Sequence, residues 1–171
     1  MNKELSIILP IHNEKESLPI MVRLLVSSLK FDHEIIIVHD TLKDNALEEA
    51  NKLKKEFSNI KVIHNTIGRG VKNAIETGVK NSKYQLILIT AVDEIFPIIS
   101  IDHMLNKLLE GGFDFISGTR YSKGGSRLGG SLIGSILSKI ANKAFNYLSK
   151  IELTDCTTGI KMLKKEVWNN I

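Results

Sequence analysis

LSIILPIHNE, residues 5–14, is apolar at consecutive positions and then turns polar at His12-Asn13-Glu14. A run that is apolar at neighbouring rather than alternate positions suits a strand covered by helices on both faces. Four further runs read the same way: Glu34–Val38 (EIIIV), Ile60–His64 (IKVIH), Gln85–Thr90 (QLILIT) and Phe113–Gly118 (FDFISG). Between them lie segments of helical period. Ser17–Leu29 carries a stripe of Leu18, Met21, Val22, Leu25 and Val26, and Asn45–Phe57 one of Ala46, Leu47, Ala50 and Leu53. Gly70–Asn81 follows, then Pro97–Glu110, which opens on proline and stops at Gly111-Gly112. Strands alternating with helices over short connections predict an α/β fold, a doubly wound and mostly parallel sheet with right-handed crossovers.

The rhythm changes after Gly118. Thr119–Gly130 (TRYSKGGSRLGG) is a basic, glycine-rich loop, and Ser131–Lys150 has one broad apolar face of helical spacing. Asp155–Ile171 reads as a loop, a short strand and the start of another helix.

Composition bounds the function. A chain of 171 residues with 43% hydrophobic and 25% charged residues suits one globular core. The net charge of +4 is spread without aromatic interleaving, so nucleic acid is not the expected partner. Cys156 is the only cysteine, which excludes an internal disulfide and points to a reducing, cytoplasmic setting. No apolar run approaches the roughly 20 residues of a spanning helix, so the expected membrane contact is peripheral.

In an open parallel sheet, ligands bind beyond the carboxyl ends of the strands. Four polar clusters fall at such ends: Pro10–Glu14, His39–Asp44, Asp93–Glu94 and Gly118–Tyr121. Independent segments thus bring carboxylates and one arginine to a common rim.

The segments ILPIHNEKESLP, EIIIVHDTLKDN, IGRGVKNAIETG, LILITAVDEIFP, FISGTRYSKGGS and TDCTTGIKMLKKEV carry a resemblance. In order and spacing the chain resembles the family 2 glycosyltransferases, and within them the polyprenyl-phosphate (dolichyl or undecaprenyl) sugar transferases. The resemblance implies a GT-A fold over 1–171 as a single glycosyltransferase-like domain, with a C-terminal portion beyond it as one reading. It also implies inverting transfer of a hexose from a GDP- or UDP-linked donor to a polyprenyl phosphate at the inner face of the membrane, with Mg2+ or Mn2+ as cofactor.

By the same resemblance, Pro10, Asn13 and Glu14 match a turn lying against the nucleotide; read from the residues alone, they form a polar strand-to-helix turn. Asp40 and Asp44 match acids that contact base and ribose, with His39 standing where the family has another acid. Gly68 and Gly70 match a glycine turn opening a helix, where close backbone approach and a helix N-terminus favour anions. Asp93 matches the second acid of an Asp-x-Asp pair that holds the metal on the donor diphosphate, and Ala91 occupies the first. Arg120 matches a ligand of the acceptor phosphate, a role that suits guanidinium, with Lys123 and Arg127 placed to assist. Asp155, with Thr158, Gly159 and Lys161, matches a segment returning to the rim; Asp155 would orient the acceptor or a metal, or simply cap a turn.

Three rival readings stand beside this one, the first of them drawn from the departures at Ala91 and His39. A GT-A relative of impaired catalysis would bind a sugar nucleotide or a partner, and a transferase outside the lipid-phosphate class, for example a polysaccharide-chain glycosyltransferase, would use another donor or acceptor. A receiver-type regulator could use Asp40 at a strand end but leaves the other motifs idle.

Overall fold

The computed structural model describes residues 3–122, 132–150 and 153–170. Six strands form one sheet: β1 (Glu4–Ile11), β2 (Asp32–His39), β3 (Ile60–His64), β4 (Leu86–Ile89), β5 (Phe115–Ser117) and β6 (Lys161–Lys164), in the order β3-β2-β1-β4-β6-β5. β1 pairs in parallel with β2 and β4, and β2 with β3; β6 runs antiparallel to β4. The sheet is therefore mostly parallel, with its strand order reversing beside β1.

Alternation of side chains along the strands divides the core in two. Ile7, Leu9, Ile35, Ile37 and Leu88 meet helices α1 (Ser17–Ser28), α2 (Leu47–Glu56) and α4 (Ile101–Glu110). Ile8, Ile36, Val38, Ile87 and Ile89 meet Ala74 and Val79 of α3 (Val71–Lys80), with Val167 and Trp168 of α6 (Lys165–Asn169) packed alongside. The strand runs are apolar throughout because both faces are covered.

Helix boundaries follow local chemistry. Pro19 sits in the first turn of α1, where its missing N–H costs nothing. In α2, Glu48 and Glu49 open the helix and Lys54 and Lys55 close it, matching the helix dipole. The helix expected from Pro97 is split: Phe96–Ser100 is a 3-10 turn, and α4 begins at Ile101. The helix expected over Ser131–Lys150 is α5, Leu132–Ser149, and the expected Ser131 start lies outside the described residues.

The chain forms two compact units, Met1–Ile116 with Ile160–Ile171, and Ser117–Gly159. The first holds most of the sheet and both halves of its core; the second is built on α5. No helix among the described residues is long and apolar enough to cross a membrane.

Candidate functional site

The carboxyl ends of β1 and β2 build a rim in the first unit. Asn13 adopts φ 64, a left-handed conformation that asparagine tolerates better than most residues. Its backbone N–H donates to both oxygens of Asp44, at 3.2 and 3.1 Å, and Asp44 Oδ1 also accepts from Ala46 N at 2.9 Å. Asp44 is only 6% exposed, so its carboxylate joins the 12–15 turn to the start of α2. Asn45 N donates in turn to Asn13 Oδ1, and His12 N to Glu14 Oε2. Pro10 lies within β1, opposite Val38.

Asp40 serves the next loop. Its Oδ1 accepts from Asn65 Nδ2 at 2.7 Å and its Oδ2 from Gly70 N at 2.7 Å. Gly70 has φ 115 and ψ 153, a region essentially reserved for glycine, and it precedes α3 directly. Asn65 is the centre of this arrangement. Buried to 4% exposure, it donates N–H to His39 O and Nδ2 to Gly68 O, and its Oδ1 accepts from Ile67 N and Thr77 Oγ1. The Gly68–Gly70 loop is thereby fixed to the end of β2. A carboxylate has about four lone-pair sites, so Asp40 can hold the loop and still accept from a ligand. Sequence reasoning singled out the glycines and passed over Asn65, although an amide three residues before a glycine turn is a signal for such a brace.

His39 and His64 stack with ring centroids 4.9 Å apart and planes 12° apart, because they are register partners on β2 and β3. His39 is buried, and its Nδ1 lies 3.1 Å from the carbonyl of Thr41, which requires the proton on Nδ1. Reading His64 as an ordinary strand residue misses this stack; only the strand register reveals it.

Asp93 is exposed in a turn beyond β4, not on a strand. Buried Val92 anchors that turn and Glu94 N donates to Ala91 O across it. Burial raises the Glu14 carboxyl above its ordinary range, and the charges of Asp93 and Asp44 add to the rise. The carboxylates of Asp44 and Asp93 thus stand close enough to Glu14 for their charge to reach it.

Among the described residues no three His, Cys, Asp or Glu side chains group closely enough to cage a metal ion. The donor set is instead one exposed carboxylate in an acidic field. That suits a hard divalent cation that takes most of its ligands from a diphosphate and water.

In the second unit, Asp155 is 1% exposed and faces Arg120. Arg120 donates Nε to Oδ2 at 2.7 Å, Nη2 to Oδ1 at 2.9 Å and its backbone N–H to Oδ2 at 3.2 Å. Thr157 adds its N–H and Oγ1–H to Oδ1, and Asn142 donates there at 3.4 Å. Burial alone would raise the Asp155 carboxyl; the hydrogen bonds from Arg120 and Thr157 outweigh it and hold the group well below the usual carboxylate range. The Arg120 fork, expected to grip a phosphate, already grips a carboxylate. Asp155, expected to orient the acceptor or a metal, caps the turn around Thr157 and anchors Arg120.

A cavity of about 330 Å³ in the same unit is lined by Tyr121, Ile136, Lys139, Ile140, Asn142, Lys143, Asn146 and Thr154. Lys123 and Arg127 lie outside the described residues. Thr158 is buried in the second unit, and Lys161 lies in β6 opposite Ile89.

The glycosyl transferase family 2 model matches residues 6–171. The dolichol-phosphate mannosyltransferase of Pyrococcus furiosus is 28% identical over 96% of this chain and 47% of its own length. The chain spans about half the length of the curated relatives it matches. Two solved structures share the fold at 14% identity. Glucosyl-3-phosphoglycerate synthase of Mycobacterium tuberculosis with Mn2+ and UDP-glucose has a TM-score of 0.75, covering 98% of this chain and 58% of that one. A mannosyltransferase of Pyrobaculum calidifontis with GDP-mannose and Mn2+ has a TM-score of 0.65, covering 99% and 46%. A GT-A sheet, a rim of loops at its strand ends and a family match over nearly all its length make this chain a member of glycosyl transferase family 2.

Proposed function

We propose that the chain transfers a hexose from a nucleotide diphosphate sugar to a polyprenyl phosphate, with inversion at the sugar carbon. The observation that carries the donor half is the braced rim: Asp44 and Asn65 fix two loops at the ends of β1 and β2, and Asp93 stands exposed beyond β4. Neighbours of the same fold hold UDP-glucose or GDP-mannose with Mn2+. The acceptor half rests on the mannosyltransferase relative and on the character of α5, which exposes Ile136, Leu137, Ile140, Tyr147 and Leu148 beside its lysines. A helix of that kind suits peripheral contact with the membrane face that carries a lipid acceptor.

In this mechanism an acceptor phosphate oxygen attacks the anomeric carbon as the bond to the donor diphosphate breaks, and the bonding pair leaves with the diphosphate. The attacking oxygen is already anionic at neutral pH, so no side chain need remove a proton. Catalysis is positioning and electrostatics. Asp93 would be the protein ligand for a Mg2+ or Mn2+ bound with the donor, and that ion would supply neutralisation of the charge growing on the leaving diphosphate. Asp40 and the Gly68–Gly70 loop present polar atoms to the nucleoside side, and the Arg120–Asp155 pair stiffens the segment that meets the acceptor.

Ala91 supports a second reading, a relative that binds a sugar nucleotide without turning it over, because it removes one of the two acids of the metal motif. Calorimetric titration with GDP-mannose, UDP-glucose and UDP-N-acetylglucosamine, each with and without Mn2+, separates the two. Cation-dependent binding followed by transfer to a polyprenyl phosphate supports the transferase. Binding without transfer supports the second reading, and no binding of any donor refutes both.

A further inference from the structure

The chain's net charge is not evenly divided. Residues 117–159 hold six Lys and Arg against two Asp and Glu, and the remaining residues hold seventeen of each. The whole formal excess of +4 therefore belongs to the second unit. Within it, the Arg120–Asp155 pair is neutral taken together, so a phosphate would meet little net attraction there. Lys139 and Lys143 differ. They lie one turn apart on α5, which has no acidic residue of its own, and no carboxylate pairs with either among the described residues. Both line the cavity with Tyr121, whose ring lies 5.8 Å from Lys139 Nζ, and with Ile136 and Ile140, which are 59% and 58% exposed.

We propose that this cavity is the headgroup subsite for a prenyl monophosphate, with Lys139 and Lys143 as the phosphate cations and Ile136, Ile140 and Tyr121 as walls for the first tail carbons. The proposal deepens the acceptor half of the proposed function and moves the phosphate from Arg120 to α5. Two ammonium groups on flexible stems suit a dianion approached from several directions, whereas Arg120 Nε and Nη2 already donate to the Asp155 carboxylate. The apolar walls select against inorganic phosphate and nucleic-acid phosphates, because only a tail covers them. A few polar groups on a largely apolar cavity of a few hundred Å³ is the common build of a small-molecule site.

The test is calorimetric binding of farnesyl monophosphate, below its micelle concentration, to the wild-type chain and to Lys139→Gln/Lys143→Gln, with farnesol and inorganic phosphate as controls. Neither lysine belongs to the core, so far-UV circular dichroism and nucleotide-sugar titration of the double variant check that fold and donor rim persist. The proposal expects farnesyl phosphate to bind, both controls to bind much more weakly, and the double variant to lose about tenfold to a hundredfold in affinity. Three results overturn it: equal binding by the double variant, equal binding of farnesol, or no binding of farnesyl phosphate to the wild type. In the last case, donor binding and transfer to another acceptor would leave the transferase reading standing. Farnesyl phosphate binding without any donor binding would do the reverse.

Discussion

Replacing Asp155 by Asn tests the core of the second unit. The two carboxylate oxygens accept from Arg120 N, Nε and Nη2, from Thr157 N and Oγ1, and from Asn142 Nδ2. The amide introduced by Asp155→Asn would keep one acceptor and turn an N–H2 toward donors. If the amide oxygen kept the Oδ1 position, the Arg120 N and Nε bonds at Oδ2 would be lost and two donors would face a third. Hydrogen bonds to a charged group are worth about 1.5–3 kcal/mol each, and breaking a buried ion pair costs about 3–5 kcal/mol because the remaining charge stays behind. Arg120 retains 27% side-chain exposure, so water recovers part of that cost and the lower end, about 3 kcal/mol, is expected. Against a typical total of about 5–15 kcal/mol, such a loss is large.

The assay is urea unfolding followed by circular dichroism at pH 7, with hydrogen exchange of the α5 amides to locate the change. The pH dependence fixes the sign. Asp155 is depressed in the folded chain, so its contribution is present above the unfolded carboxyl range and is lost as pH falls through the folded value, at the acid end. The gap between wild type and Asp155→Asn should therefore be full at pH 7 and begin to close below about pH 4. A gap under about 0.5 kcal/mol at pH 7, the range of ordinary surface substitutions, would refute the assigned role.

Asp93→Asn should reduce transfer by about a hundredfold or more while shifting stability by less than about 0.5 kcal/mol, as judged by steady-state rates and thermal melting; normal turnover removes Asp93 from the mechanism. Glu14→Gln should raise the melting temperature at pH 7 and by less at pH 4. The raised Glu14 contributes stability below the unfolded carboxyl range and loses it as pH rises through the folded value, and glutamine avoids that loss. Gly78→Ala should destabilise despite a helix-propensity gain of about 1 kcal/mol, because the added Cβ would lie 2.5 Å from Ile8 Cγ2, fully buried in β1. Overpacking costs about 1–3 kcal/mol, so urea unfolding should show a net loss.

The sheet was legible because parallel strands covered on both faces need consecutive apolar residues, a pattern that survives without neighbours: Glu34–Val38 and Ile60–His64 lie within β2 and β3. Boundaries were less legible where tertiary packing decides them. The 3-10 turn at Phe96–Ser100 and the short β5 have no distinct periodic signature. The rim loops were visible as polar clusters at strand ends, but the partners of their side chains were not. Asp44 meets Asn13 31 residues away, and Arg120 meets Asp155 across 35. Period encodes which face a residue occupies; it does not encode which distant donor will reach it.

Under the proposed function, which needs two anionic substrates, the charge of the two units is informative. Burial chiefly raises the Glu14 carboxyl, and the charges of Asp93 and Asp44 add to it, so a proposed diphosphate donor would meet like charge at this rim and would gain from an accompanying divalent cation. The first unit is neutral as a whole, and its local acidity therefore selects for a cation–diphosphate pair over a bare anion. The second unit carries the entire net positive charge and a cavity with apolar walls, so on the proposal above it would attract an anion without a metal and favour one with a tail. Were both units basic, the donor and acceptor phosphates would compete for the same sites. On the proposed function, different local fields would sort them by the cation that accompanies the donor and the tail that the acceptor carries.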